Sequence, residues 1–352
     1  MDNKNIKPKI RNSLAEIFRS RDDIFTDILG QETAKKQIKS ALLMNRHIVI
    51  FGQPGIGKTT IAKNIAKLLP EITVNDCEFK CDPANPVCPA CRSGKTKSQL
   101  IIKGEQRFVR IQGSPDLSAE DLIGDIDPIK AMEYGPLSIE AFTPGKIFKA
   151  NNSVLFFDEL NRCPEKLQNA LLQVLEEGRA TIGSYDVDIE TNFIFVGTMN
   201  PVDINTERLS DVLLDRFDVV YMTYPETNQI EKDVMVSKGC NMVETPELIK
   251  EIIVGFIREL REEESLEKVP SVRATIGLYE RAQANAYLNG NDVVSYPDLK
   301  DVVVSVLAHR IKLKPSVKYL KEPRELIEQE FDRFIQDKYP DIVNDEEQGG
   351  CR

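Results

Sequence analysis

"HIVIFGQPGIGKTTIAKNIAKLL", residues 47–69, decides how this chain folds. His47–Phe51 is a short run rich in β-branched residues, Gly52, Gly55 and Gly57 punctuate the segment after it, and Ile61, Ile65, Leu68 and Leu69 then recur at helical spacing. The order is strand, glycine-rich loop, helix, and Gly52–Thr59 reads G-x-x-x-x-G-K-[ST], a phosphate loop in its required context. Glycines let backbone N–H groups turn inward around phosphates, Lys58 brings a point charge to the β- and γ-phosphates, and the Thr59 hydroxyl is a ligand for Mg²⁺. Gln53, Pro54, Ile56 and Thr60 complete the stretch expected to line bound ATP.

Outward from this segment the same alternation returns. "RFVRIQG" (107–113), "SVLFFDEL" (153–160), "NFIFVGTMN" (192–200) and "DVVYMTYP" (218–225) read as buried strands. "PEKLQNALLQVLEEG" (164–178) reads as a helix with Leu167, Leu171, Val174 and Leu175 on one face, Pro164 suiting its first turn and Gly178 its stop. Strands separated by helices imply an α/β fold with a doubly wound parallel sheet. From about Glu226 the strand-like runs give way to charged helical patterns, so a smaller helical domain is expected over 226–340. The expected division is an N-terminal extension (1–24), an α/β core (25–225) with a cysteine-rich insertion at about 75–95, the helical domain, and a frayed acidic tail (341–352).

A phosphate loop holds a nucleotide, and hydrolysis needs carboxylates at the tip of a neighbouring strand. "VLFFDE" supplies them: Asp158 for the Mg²⁺ shell, and Glu159 as the base that orients the attacking water.

With these motifs in order, the sequence resembles the AAA+ ATPases, in the branch of the MoxR-type proteins and of magnesium chelatase subunit I (ChlI/BchI-type). The resemblance covers about residues 25–312 and rests on the phosphate loop, "FFDEL", "GTMNP", "LLDRFD" and "PSVRA". It implies that Asn200 is the sensor of the γ-phosphate and water, that Arg216 is the arginine finger reaching a neighbouring subunit's nucleotide, and that Arg273 is the sensor arginine of a helical lid. It also implies a homo-oligomeric ring, expected to be a hexamer. The long connection 121–151 looks like the helix-2 insertion of this branch, and "GRATIGSYDVDIETNF" (178–193) reads as a hairpin around Gly183–Ser184. Arg162, in "DELNR", has no assigned role.

Four of the seven cysteines fall in "CEFKCDPANPVCPACR" (77–92). Cys77, Cys81, Cys88 and Cys91 give C-x3-C-x6-C-x2-C, a spacing suited to a closed tetrahedral zinc site; free thiols and an iron–sulfur cluster are the alternatives. With turn formers between them and almost no apolar residues, the loop is expected to depend on metal to fold. Cys163, Cys240 and Cys351 stand alone and read as ordinary small residues.

The 352 residues, 41% hydrophobic and 29% charged, suit a large domain plus a smaller one and exclude collagen-like or disordered classes. No apolar run approaches a membrane span and the polar start lacks a secretory core, so a cytoplasmic protein is expected. A net charge of −10 gives no compositional support to a nucleic-acid motor, although such motors share the inserted hairpins. Two functions remain. One is the ATPase subunit of a chelatase that drives Mg²⁺ or Co²⁺ into a tetrapyrrole held by other chelatase subunits. The alternative is a MoxR-type motor that remodels a partner with a von Willebrand factor A-type domain.

Overall fold

The computed structural model describes residues 6–19, 23–96, 98–136, 138–182, 187–200, 209–319 and 321–342. Five strands make its central sheet: β1 (His47–Phe51), β2 (Phe108–Gln112), β3 (Ser153–Asp158), β4 (Phe193–Met199) and β5 (Phe217–Tyr221), in the spatial order β5-β1-β4-β3-β2. Every adjacent pair is parallel. A parallel sheet is covered on both faces, so its inner strands read as continuous apolar runs, and Val154, Leu155, Phe156 and Phe157 of β3 are all fully buried. The doubly wound α/β expectation is met.

Helices α1 (Ile6–Arg19), α2 (Glu32–Leu43), α3 (Lys58–Lys67) and α4 (Glu165–Glu177) accompany this sheet in sequence. In α4 the face expected from the heptad-like spacing is the buried one, with Leu167, Leu171 and Val174 inside. Gly178 ends that helix in the left-handed region at φ 64°, where glycine carries no Cβ penalty. Ser118 caps the short helix Ala119–Leu122 in a reciprocal box with Asp121.

The insertions are small antiparallel pairs. Ile72–Asn75 pairs with Gln99–Ile102 and brackets the cysteines, Gly124–Ile126 pairs with Phe142–Pro144 around the helix Pro128–Tyr134, and Arg179–Ile182 pairs with Val187–Glu190. The Gly183–Ser184 turn expected in the last of these lies outside the described residues, as do residues 343–352 of the acidic tail, Cys351 among them.

Residue contacts divide the chain into one unit of residues 1–53 and 57–222 and a second of residues 54–56 and 223–352. The second is built from α5 (Asn228–Lys238), α6 (Glu247–Glu262), α7 (Val272–Leu288), α8 (Tyr296–Leu307) and α9 (Pro323–Lys338). It also contains the short pair Leu266–Lys268 and Lys312–Leu313, which the helical reading did not anticipate because two or three residues carry no periodicity. Its core holds one buried carboxylate among the described residues of α5. Glu231, fully buried, accepts hydrogen bonds from Arg261 Nη1 (2.8 Å) and Nη2 (2.6 Å) and from Thr275 Oγ1 (2.7 Å), while the guanidinium of Arg261 stacks 4.2 Å from the centre of the Tyr224 ring.

Among the described residues no helix is long and apolar enough to cross a membrane.

Candidate functional site

The register of the sheet gathers the phosphate loop and the acidic pair at one end. Phe51, the last residue of β1, pairs with Met199, and the Gly52 N–H donates to the Met199 carbonyl at 3.2 Å, so the loop leaves β1 beside Asn200. Gly197 pairs with Phe157 and Gln112 with Asp158, which sets the tips of β4, β3 and β2 in line. Ligands in open parallel sheets bind at the carboxyl ends of the strands.

Gly55 and Gly57 take φ values of 81° and 99°, a left-handed backbone that other residues adopt at a cost, and Gly57 is the N-cap of α3. Inside the loop the Lys58 ammonium donates to the carbonyls of Gly52 and Gln53, the second at 3.1 Å. Thr59 and Thr60 occupy the first turn of α3, half-buried. This is a helix N-terminus with an adjacent cation, the arrangement that accepts phosphate.

At the tip of β3 one hydroxyl organises both carboxylate residues. Thr198 Oγ1, fully buried, accepts the Glu159 N–H at 2.9 Å and donates to Asp158 Oδ1 at 2.7 Å. Asp158 Oδ2 also accepts from Arg110 at 2.6 Å. Glu159 itself is left-handed at φ 54°, a conformation that persists only when its surroundings fix it. Its Oε2 accepts from Gln112 Nε2 at 2.9 Å and pairs with Arg162 at 3.0 Å. Beneath it, a Cβ built on Gly113 would lie 2.1 Å from the Glu159 carbonyl oxygen, so the chain leaving β2 needs glycine there to come this close.

The sequence reading missed Thr198, Arg110, Gln112 and Gly113, and left Arg162 unassigned. The signal for Thr198 was present, as a polar residue in an otherwise apolar strand two positions before Asn200. Arg110 and Gln112 gave none, since alternating polar residues on an edge strand ordinarily face water. Asn161 Nδ2 donates to the Asn200 carbonyl at 3.4 Å.

Arg216 stands elsewhere. It immediately precedes β5, whose first residue Phe217 pairs with His47, the first residue of β1, so it lies at the sheet end opposite the phosphate loop. Its half-exposed guanidinium is held by Glu176 of α4 and by Asp215 at 3.1 Å. Arg273 lies in the first turn of α7, in the second unit.

The four cysteines converge. Their Sγ atoms all lie within 4.8 Å of one another, against the roughly 3.8 Å between sulfurs of a tetrahedral site with about 2.3 Å zinc–sulfur bonds. Backbone amides point at the sulfurs: Cys81 N–H at Cys77 Sγ, those of Val87 and Cys88 at Cys81 Sγ, and that of Cys91 at Cys88 Sγ, each at 3.4 Å. Hydrogen bonds from the Cys81 and Cys88 thiols draw the Cys77 pKa down to about 2, and sharing with Cys77 pushes Cys81 up to about 12 and Cys88 upward too. Four sulfurs within 4.8 Å of one another, with backbone amides directed at them, are a donor set for a cation, and they fit a metal ion. The expectation of a loop without apolar anchorage is corrected: Phe79 and Val87 are buried with the core residues Phe142 and Phe148, the Phe79 and Phe148 rings lying 5.5 Å apart.

A phosphate loop, a strand-tip carboxylate pair and this strand order define a P-loop ATPase. The family model "ATPase family associated with various cellular activities (AAA)" matches residues 88–219, the AAA lid domain 258–330, and "Magnesium chelatase, subunit ChlI" 24–83. A magnesium-chelatase subunit ChlI homolog of Methanocaldococcus jannaschii is 30% identical over 350 residues, covering 88% of this chain and 90% of that one. The ChlI subunit of Nostoc sp. is 29% identical, covering 83% of this chain and 84% of its own. Among solved structures, a chain of the BchI–BchD magnesium chelatase complex is 24% identical with a TM-score of 0.47, covering 84% of this chain and 98% of that one. The chain belongs to the magnesium chelatase subunit I family of AAA ATPases, and ATP with Mg²⁺ is its substrate pair.

Proposed function

We propose that this ATPase is the motor subunit of a chelatase-type complex, coupling ATP hydrolysis to insertion of Mg²⁺ or Co²⁺ into a tetrapyrrole held by another subunit. The observation that carries the reading is the 30% identity to a magnesium-chelatase ChlI homolog sustained over 88% of this chain. In this reading Lys58 and the loop Gly52–Thr60 hold the phosphates, Thr59 and Asp158 hold Mg²⁺, and Glu159 polarises the attacking water. Asn200 is the sensor of the γ-phosphate and water, and Arg273 is the sensor arginine of the helical lid. Arg216 completes the site of a neighbouring subunit in a homo-oligomeric ring, a role supported by its place at the sheet end away from its own phosphate loop. The four cysteines hold a structural Zn²⁺, supported by the convergence of their sulfurs and by the amides directed at them.

The test combines the purified chain with the partner subunits of a chelatase, Mg²⁺, ATP and a free-base porphyrin, and follows the porphyrin absorbance. Metal insertion that needs ATP and is lost with Glu159→Gln is the expected result. Vigorous ATP hydrolysis without insertion in any such mixture would overturn the chelatase reading. A second reading, remodelling of a von Willebrand factor A-type partner, is favoured by "DELNRCPEKLQNALLQVLEEG" (158–178), which resembles the MoxR proteins more than the chelatase counterpart. ATP-dependent release or activation of such a partner, with no effect of porphyrin, would select it.

A further inference from the structure

The cysteine module touches the catalytic strands through a buried polar hub at their lower ends, opposite the carboxylates. Asn151 and Asn152, both buried, immediately precede β3. Asn151 Nδ2 donates to the Phe79 carbonyl at 3.1 Å, and its Oδ1 accepts the Asn192 N–H at 3.1 Å. Asn152 Nδ2 donates to the Lys80 carbonyl at 3.3 Å, its Oδ1 accepts from Asn192 Nδ2 at 3.2 Å, and its N–H donates to the Asn192 carbonyl at 2.5 Å. Asn192 immediately precedes β4. The Asn152 carbonyl in turn accepts Arg107 Nε at 2.7 Å. Arg107, fully buried, immediately precedes β2, and its guanidinium also donates to the carbonyl of Pro70, beyond the end of α3.

Three features show that this hub is built rather than incidental. Arg107 is a fully buried arginine bonded to carbonyls, and its Nη2 has no partner among the described residues, so burying it costs free energy that its placement must offset. Asn152 is held at φ 58°. Lys80, whose carbonyl meets Asn152, is left-handed at φ 43° and closes a tight turn by donating its N–H to the Cys77 carbonyl at 3.0 Å. A lysine held left-handed is strained and needs something to fix it. Cys77 and Cys81 flank that turn, and an ion shared by their sulfurs would fix it from both sides.

We infer that the loaded cysteine module is a register clamp for catalysis: it aims the Phe79 and Lys80 carbonyls at Asn151 and Asn152, which align the lower ends of β2, β3 and β4 so that Gln112, Glu159 and Thr198 meet at the upper ends. Asn151, Asn152 and Arg107 are thus positioning residues for ATP hydrolysis. The inference rests on the metal reading of the four cysteines. The side-chain hydrogen bonds of the two asparagines run to the cysteine loop and to Asn192, not to β1, which carries the phosphate loop, so the clamp governs turnover and leaves nucleotide affinity largely alone.

The experiment uses the full chain and reads metal content, kcat for ATP, and the Kd of a fluorescent ADP analogue. Stripping metal with a chelator should lower kcat about tenfold or more while Kd moves less than about threefold, and adding Zn²⁺ should restore kcat. Asn152→Gly, which keeps the backbone free to take its positive φ, should retain metal and show the same split. If that variant does not fold, the strip-and-restore comparison on the unmodified chain decides alone. Metal-free protein with unchanged kcat overturns the clamp and leaves the metal site standing. Equal losses of kcat and affinity also overturn it, as general loosening. A chain that contains no metal as purified and takes up no Zn²⁺ overturns the metal reading itself.

Discussion

Replacing Thr198 by valine keeps the shape of a fully buried side chain and removes one hydroxyl. That hydroxyl takes the Glu159 N–H at 2.9 Å and gives its proton to Asp158 at 2.7 Å. A hydrogen bond to a charged acceptor contributes about 1.5–3 kcal/mol, and a buried N–H left unpaired costs about 1–3 kcal/mol. That contact is one of those holding Glu159 in its left-handed conformation, so part of this loss falls on the geometry of hydrolysis. If about 1.4–2.8 kcal/mol reaches the transition state, kcat falls roughly 10- to 100-fold. The phosphate loop lies on β1 and α3, so nucleotide affinity should change less than about threefold. Steady-state phosphate release together with titration of a fluorescent nucleotide measures both quantities, and Thr198→Ser, which returns the hydroxyl, should recover most of the rate. A valine variant within about twofold of the native rate, or a serine variant as slow as valine, would refute the reasoning.

Lys58→Ala should lose nucleotide binding, whereas Glu159→Gln should keep it and lose turnover; normal hydrolysis by the second would remove Glu159 from the chemistry. Arg216→Ala should bind ATP yet lose on the order of 10³-fold or more in rate, and mixing it with Lys58→Ala should partly restore activity, because each variant supplies the half-site the other lacks. A mixture no faster than its parents argues against a shared site. In the helical unit, Glu231→Leu strands the buried Arg261 charge and should cost about 3–5 kcal/mol, lowering its calorimetric Tm by about 10 °C. A shift under ~3 °C would show that Arg261 finds another partner.

The fold was legible where burial imposes a pattern. Strands such as Val154–Phe157 are enclosed on both faces, so their apolar runs could not be mistaken for loops, and the phosphate loop between β1 and α3 fixed the class by chemistry alone. The acidic pair was legible because it ends such a run. Its surroundings were not: Arg110 and Gln112 look like solvated edge residues until register places them beside Asp158 and Glu159. The docking of the cysteine module was least legible of all, since Asn151 and Asn152 recognise the carbonyls of Phe79 and Lys80, groups that every residue possesses.

The strand order has a consequence for how the chain comes into being. β1 pairs through Ile48 with Val196 and through His47 with Phe217, so the strand that bears the phosphate loop has no sheet neighbour until residues 193–221 have been synthesised. Closing contacts so distant in sequence is slow, whereas the four sulfurs between Cys77 and Cys91 need only a short loop to meet. A nascent chain therefore has the four sulfurs of Cys77, Cys81, Cys88 and Cys91 within reach of one another long before β1 is bedded between β4 and β5.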